Sequence, residues 1–163
     1  MLEHLWAGWR SEYVAGADEA NEGGCVFCRL LAAESDREAC VVWRGQQCAA
    51  VLNAYPYASG HLLVMPVRHV SDLEQLSLEE TAELWAGVTA AVVAVKAAYR
   101  PEGVNIGANM GRAAGAGIPA HFHVHVVPRW AGDTNFMTSV AEARVLPEAL
   151  PVSYDKLTAA WPR

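Results

Sequence analysis

The stretch HFHVHVVPRW, residues 121–130, carries three of the chain's six histidines, His121, His123 and His125, at alternate positions. In an extended strand, side chains alternate between faces, so these imidazoles share one face while Phe122, Val124 and Val126 share the other. Same-face neighbours stand roughly 7 Å apart. The apolar face can pack on a core while three imidazoles line one surface. A half-buried strand with a chance polar residue is the ordinary reading of one such histidine. Three at period two, next to the glycine-rich stretch GRAAGAG, point to chemistry instead. Imidazole changes protonation near neutral pH, attacks electrophiles and binds metals.

Outward from the triad, the chain alternates short apolar runs with turn signals. GVNIGANM reads as a strand before the glycine-rich loop. Upstream lies a long helix, LEETAELWAGVTAAVVAVKAAYR, with a capping box of Ser77 and Glu80 at its start and Pro101 at its end. HLLVMPVRH begins as a strand, AYPYASG is a turn-rich connection, and residues 40–45 and 46–53 read as the two strands of a hairpin. CVFCRLLAAE predicts a short helix, residues 15–24 a loop, and Leu2 to Val14 an amphipathic helix with Leu2, Leu5, Trp6 and Trp9 on one face. The tail from Pro147 predicts a last helix. Strands, one long helix, then strands make an α+β domain with a mainly antiparallel sheet.

Composition bounds the function. The 163 residues suffice for one domain with its own core, and 53% of them are hydrophobic. A net charge of −6 argues against a nucleic-acid polymer as partner, while a small anionic substrate needs only local positive charge. No run of 18 charge-free apolar residues suggests a membrane span, and the N-terminus does not have the form of a signal peptide. A cytoplasmic location is expected, in which the four cysteines are thiols or metal ligands.

The order HφHφHφφ, with φ apolar, resembles the signature of the histidine triad (HIT) superfamily of nucleotide hydrolases and transferases. The resemblance extends to NAYPYASGHLLVMPVRHVSDL, NIGANMGRAAGAG and PRWAGDTNFM, and runs from about Cys25 to Met137. PRWAGDTNFM is most similar to the bacterial branch that includes diadenosine tetraphosphate phosphorylases. The resemblance implies a HIT-like fold over residues 1–163, with an N-terminal helix and loop at 1–24, a core at 25–137 and an extension at 138–163. It also implies displacement at a nucleotide α-phosphate through a nucleotidyl-histidine intermediate.

The resemblance places the nucleophile at His123, with His125 and His61 as its partners at the phosphate. An attacking imidazole uses one nitrogen and needs its other N–H held by an acceptor, expected to be a backbone carbonyl. His61 alone reads equally well as a capping or surface histidine. Asn53 stands where the family places an Asp or Asn that binds ribose hydroxyls; alone it is an ordinary turn residue. Asn109 matches a polar position near the phosphate, and Trp130 is a candidate contact for the second nucleoside. The glycine-rich loop offers backbone N–H groups for phosphate oxygens. Gly117 departs from the family. Many members carry Gln or Ser there, which contacts the phosphate or leaving group; with Gly117 that side-chain contact is missing unless Arg112 or a backbone amide replaces it.

Cys25 and Cys28 form a CxxC, which alone reads as a redox pair, a metal half-site or two buried cysteines. Some bacterial HIT proteins, and the related galactose-1-phosphate uridylyltransferases, bind zinc with a CxxC, a histidine at the place of His69 and the first triad histidine. The resemblance therefore implies a structural zinc on Cys25, Cys28, His69 and His121, closed to catalytic water by its four protein ligands. Cys40 and Cys48 read as buried thiols, and His4 as a surface residue. Trp85, Val88, Val92 and Val95 form an apolar stripe on the long helix, core by default, and the resemblance implies a homodimer there.

Three functions follow. The first is cleavage of a dinucleoside polyphosphate such as diadenosine tetraphosphate, by phosphorolysis or hydrolysis. The second is an adenosine 5'-monophosphoramidase. The third is an adenine-nucleotide sensor that binds without turnover and forms no covalent intermediate at His123.

Overall fold

A computed structural model describes residues 24–133 and 148–162. The predicted N-terminal helix, His4, and residues 134–147 with the end of PRWAGDTNFM lie outside the described residues.

The hairpin is built from β1 (Val41–Arg44) and β2 (Cys48–Leu52), joined through Gly45-Gln46-Gln47. The Glu83 carboxylate, on the long helix, accepts the N–H groups of Gln46 (2.6 Å) and Gln47 (3.0 Å) and satisfies two turn donors at once. A Cβ on Gly45 would come 1.7 Å from the nearer Glu83 oxygen, so only glycine lets the turn reach it. β2 pairs antiparallel with β3 (Leu62–Pro66), from Cys48 opposite Pro66 to Leu52 opposite Leu62. β3 pairs with β5 (Val124–Arg129), and β5 with β4 (Gly103–Gly107). The five-stranded antiparallel sheet has the order β1-β2-β3-β5-β4.

The runs CAAVL and LLVMP are apolar throughout because both faces of β2 and β3 are covered. On one face Ala50, Leu52, Leu62, Val64, Val124 and Val126 meet Leu84, Val88 and Val95 of α2 (Leu78–Tyr99) and Leu157 of α3 (Leu150–Ala160). On the other face Ala49, Val51, Leu63 and Met65 meet Phe27 and Leu31 of the short α1 (Val26–Leu31). Each large side chain buried this way contributes about 1.5–3 kcal/mol. Phe122, Val124 and Val126 take the α2 side, as the period of two predicts. α2 is long and apolar enough by length and composition to cross a membrane, but its inner face packs on the sheet as a core helix does. Of the predicted stripe, Val88 and Val95 are buried and Trp85 is exposed.

The capping box at α2 forms as predicted. Ser77 Oγ accepts the Glu80 N–H at 3.1 Å, and the Glu80 carboxylate accepts the Ser77 N–H at 2.8 Å. Glu80 is buried, and Arg68 grips it with two N–H donors at 2.8 and 2.7 Å. The Arg68 guanidinium, and then the Ser77 N–H, hold its carboxyl down at about 2. The folded value lies below the unfolded one of about 4.3, so this stabilisation is complete above about pH 4.3 and is lost as pH falls toward about 2. Glu80→Gln is expected to cost about 2 kcal/mol at neutral pH, the scale of a buried charge-assisted bond, and to flatten the acid limb of stability. Melting curves against pH check this; identical acid limbs in the two proteins would refute it.

The strand of the triad is shorter than its sequence suggests. The β3–β5 ladder ends at Val64 opposite Val124, so His121 and His123 precede β5. Two features stop it. Pro66, near the end of β3, has no N–H to donate. The Phe122 N–H turns instead to the Val70 carbonyl, at 2.6 Å.

Candidate active site

His125 is the only triad histidine inside β5, opposite Leu63 of β3 and Gly107 of β4. It therefore lies on the sheet face that carries α1. His121 and His123 follow that face on the chain just ahead, both buried, at 0% and 5% exposure. Phe27, between the two cysteines, packs edge-on against both rings, with centroids 5.5 and 5.0 Å apart.

The hydrogen-bond partners assign the ring tautomers. His123 Nδ1 lies 2.8 Å from the His121 carbonyl oxygen, which only accepts; Nδ1 therefore carries the proton and Nε2 the lone pair. Burial lowers the His123 pKa, partly opposed by that carbonyl bond, so the ring is held neutral and nucleophilic. His121 is arranged the other way round. Its Nε2 donates to the Pro66 carbonyl at 2.9 Å, which leaves the lone pair on Nδ1. Burial, reinforced by His69, lowers its pKa against the effect of the Pro66 bond.

That Nδ1 points at the cysteines. It lies 3.4 Å from Cys25 Sγ and 3.7 Å from Cys28 Sγ, and His69 Nδ1 lies 3.3 Å from Cys28 Sγ. All four donor atoms lie within 4.8 Å of one another. A tetrahedral zinc with ordinary bonds to S and N separates two such ligands by about 3.6 Å. The donor set, the spacing and the available His121 lone pair all fit zinc. Cys28 sits close enough to Cys25 that burial, a shared hydrogen bond and mutual repulsion push its thiol pKa up; a cation would reverse that.

His61 immediately precedes β3 and follows a turn that requires Gly60 at φ +82°, where a Cβ would press to 2.5 Å from the Tyr99 ring. It is fully buried, and its Nε2 lies 2.9 Å from His125 Nδ1. Its Nδ1 receives the Tyr57 backbone N–H at 3.1 Å. Asn53 adds a second donor. Its Oδ1 accepts the Tyr55 N–H at 3.0 Å, which turns Nδ2 toward His61 Nδ1, 3.3 Å away. The Tyr57 ring covers the pair, tilted over His61 at 4.8 Å and stacked on His125 at 6.0 Å and 12°.

The structure thus brings His61, His123, His125 and Asn53 into one cluster, and the four candidate metal ligands into an adjoining one. Asn109 follows β4 two residues beyond the partner of His125, at the same end of the sheet. Gly117 lies in the loop ahead of the triad, whose Ile118 packs on the α1-side core. Trp130 stands beyond β5, edge-on to Tyr99 at 6.5 Å. Cys48 is buried, and desolvation pushes its thiol up to about 12, in keeping with an inert core residue. Sequence reasoning missed Tyr57, Phe27 and the carbonyl of Pro66, and it expects a backbone carbonyl behind the nucleophile without identifying it as that of His121. Phe27 sits visibly between two cysteines and Tyr57 in a YPY turn, but backbone groups leave no mark in a sequence.

The sequence pattern of the HIT domain matches residues 34–132. A protein of Mycobacterium tuberculosis (strain H37Rv) named AP-4-A phosphorylase is 41% identical over 168 residues, covering 100% of this chain and 86% of that protein. A crystal structure of a Zn-bound histidine triad family protein from Mycobacterium smegmatis superposes with a TM-score of 0.67 at 30% identity, over 83% of this chain and 91% of that one. A hypothetical histidine triad nucleotide-binding protein from Sulfolobus tokodaii gives the same TM-score, 0.67, at 28% identity.

Proposed function

The chain belongs to the HIT family, and we propose that it cleaves dinucleoside polyphosphates such as diadenosine tetraphosphate at the α-phosphate, through a nucleotidyl intermediate on His123. The observation that carries this reading is the held nucleophile: a buried, neutral imidazole whose Nδ1–H is fixed on the His121 carbonyl at 2.8 Å. His125 and His61 serve the phosphoryl oxygens and the leaving group. Asn53 and Trp130 serve the nucleoside side, Asn109 stands near the phosphate, and the loop through Gly117 presents its backbone to the phosphates. The name of the M. tuberculosis relative supports the substrate class.

One structural zinc on Cys25, Cys28, His69 and His121 belongs to the same reading, supported by the donor geometry and by the Zn-bound relative. When bound, the ion supplies rigidity. It ties α1 to the segment whose main chain holds His123. A reducing compartment such as the cytosol keeps its thiols available. The active form is a homodimer. The outer face of α2 supports this, with exposed Trp85 and Val93, as does the exposed Ile106 on edge strand β4. A solution mass of twice the 17.6 kDa chain checks it; a monomer at micromolar concentration refutes it.

The functional test is a product analysis. Diadenosine tetraphosphate is expected to yield ADP and ATP when phosphate is present. AMP and ATP without phosphate would mean hydrolysis. Tight AMP binding with no cleavage under either condition would refute the enzyme and leave a sensor.

A further inference from the structure

Two N–H donors converge on His61 Nδ1: the Tyr57 main chain at 3.1 Å and the Asn53 carboxamide at 3.3 Å. The carboxamide cannot reverse its polarity without losing the Tyr55 N–H on its oxygen. No proton can therefore sit on Nδ1, and the His61 proton is confined to Nε2. That proton faces His125 Nδ1 at 2.9 Å, so the His125 proton is confined to its own Nε2. Protonating the pair would put two hydrogens between the rings, or move one onto Nδ1 against two donors. A neutral imidazole N–H is not an acid near pH 7; only imidazolium is, with an ordinary pKa of about 6.5. An Nε2 that already carries its proton is not a base either.

We infer that Asn53 and the Tyr57 backbone lock the His61–His125 pair as a hydrogen-bond donor that supplies neither a general acid nor a general base, so that the site takes leaving groups that depart as anions and acceptors that arrive as anions. The inference rests on the nucleotidyl-transfer reading above and specifies its substrate classes.

In the first step the His123 Nε2 lone pair forms a bond to the α-phosphorus. The bond from phosphorus to the bridging oxygen breaks, and ATP leaves with that electron pair, needing no proton. In the second step an oxygen of the hydrogen phosphate dianion attacks the same phosphorus. The P–N bond breaks, its pair returns to Nε2, and ADP leaves with the proton that phosphate brought. An amine leaving group would depart as an amide anion unless protonated, and attacking water must lose a proton. Neither need is met by the locked pair, and Gly117 adds no side-chain donor from the loop ahead of the triad. Phosphate anhydrides and phosphorolysis are thus favoured over P–N substrates and hydrolysis. Asn53 is a positioning residue for this selection.

The test combines imidazole 15N NMR on the full-length protein with a comparison of substrates and acceptors. His61 is expected as the Nε2–H tautomer. Phosphorolysis of diadenosine tetraphosphate is expected to exceed its hydrolysis, and to exceed cleavage of an AMP–lysine phosphoramidate, each by at least about a hundredfold, the usual worth of a general acid or base. Asn53→Asp replaces a donor by an acceptor, so it is expected to move the His61 proton to Nδ1 and shift the partition toward water by about tenfold or more. A proton on Nδ1 in the wild type would overturn the inference. So would comparable rates with water and phosphate, or a tautomer shift in Asn53→Asp that leaves the partition unchanged. If no substrate is turned over, the proposed function fails, and the wild-type His61 tautomer alone decides whether the lock exists.

Discussion

Replacing His123 by alanine is expected to lower turnover of diadenosine tetraphosphate at least about a thousandfold, the scale on which removal of a covalent nucleophile acts. No other imidazole of the triad can take its place. His121 directs its lone pair at Cys25 and Cys28, and His125 accepts from His61 through Nδ1. The side chain is buried against Phe27, so alanine also leaves a small cavity. His123→Asn, closer in volume, separates the two effects: it should melt nearer to wild type yet remain inactive. Acid-sparing quench and intact-mass measurement during turnover should show an adenylyl adduct on the wild-type chain and none on either variant. An adduct that persists in His123→Ala would move the nucleophile elsewhere and refute the assignment.

His69→Ala is expected to empty the metal site and to lower the melting temperature by about 10 °C. His69 is exposed, so its imidazole contributes little buried surface of its own. A large loss must therefore come through the ion. A ligand present at about a thousand times its Kd stabilises by about 4 kcal/mol. In a chain of this size each kcal/mol moves the midpoint by about 2–4 °C. Loss of activity should accompany the loss of metal, because His121 would keep only its Pro66 bond and its carbonyl is what holds His123 Nδ1. Metal analysis decides the matter: one zinc per wild-type chain, almost none in His69→Ala, and full content in Cys48→Ser, whose thiol lies in the other core. Wild-type protein purified without chelators and carrying well below one zinc per chain would rule out the four-ligand site.

Much of this molecule is legible one segment at a time. The period of two in Phe122, Val124 and Val126 predicts the face that meets α2. The Ser77 and Glu80 pair marks the start of α2, and the doubly apolar runs of β2 and β3 announce strands covered on both faces. Each depends on neighbours within a few positions, so the linear pattern carries it. The resemblance to the HIT family supplied the identity of the site residues; composition and spacing supplied only the suspicion of chemistry.

Three-dimensional structure decided what local pattern cannot reach. Cys25 and His121 are separated by 96 positions and His61 and His125 by 64; the second pair meets because β3 and β5 are neighbours in the sheet, and the first because α1 packs on the face that these strands share. The ladder ends at Val124, so the first two triad histidines are released to bond with the main chain instead of lying flat on the sheet. Above all, the role of each imidazole is set by which of its nitrogens bears the proton. That is fixed by partners the sequence does not display as motifs: the carbonyls of His121 and Pro66, and the N–H of Tyr57. The triad's spacing names three chemically identical side chains. Only the backbone groups that fold against them suit one to attack, one to hold a metal and one to donate, because a hydrogen-bond partner breaks the symmetry between two ring nitrogens that are nearly equivalent in water.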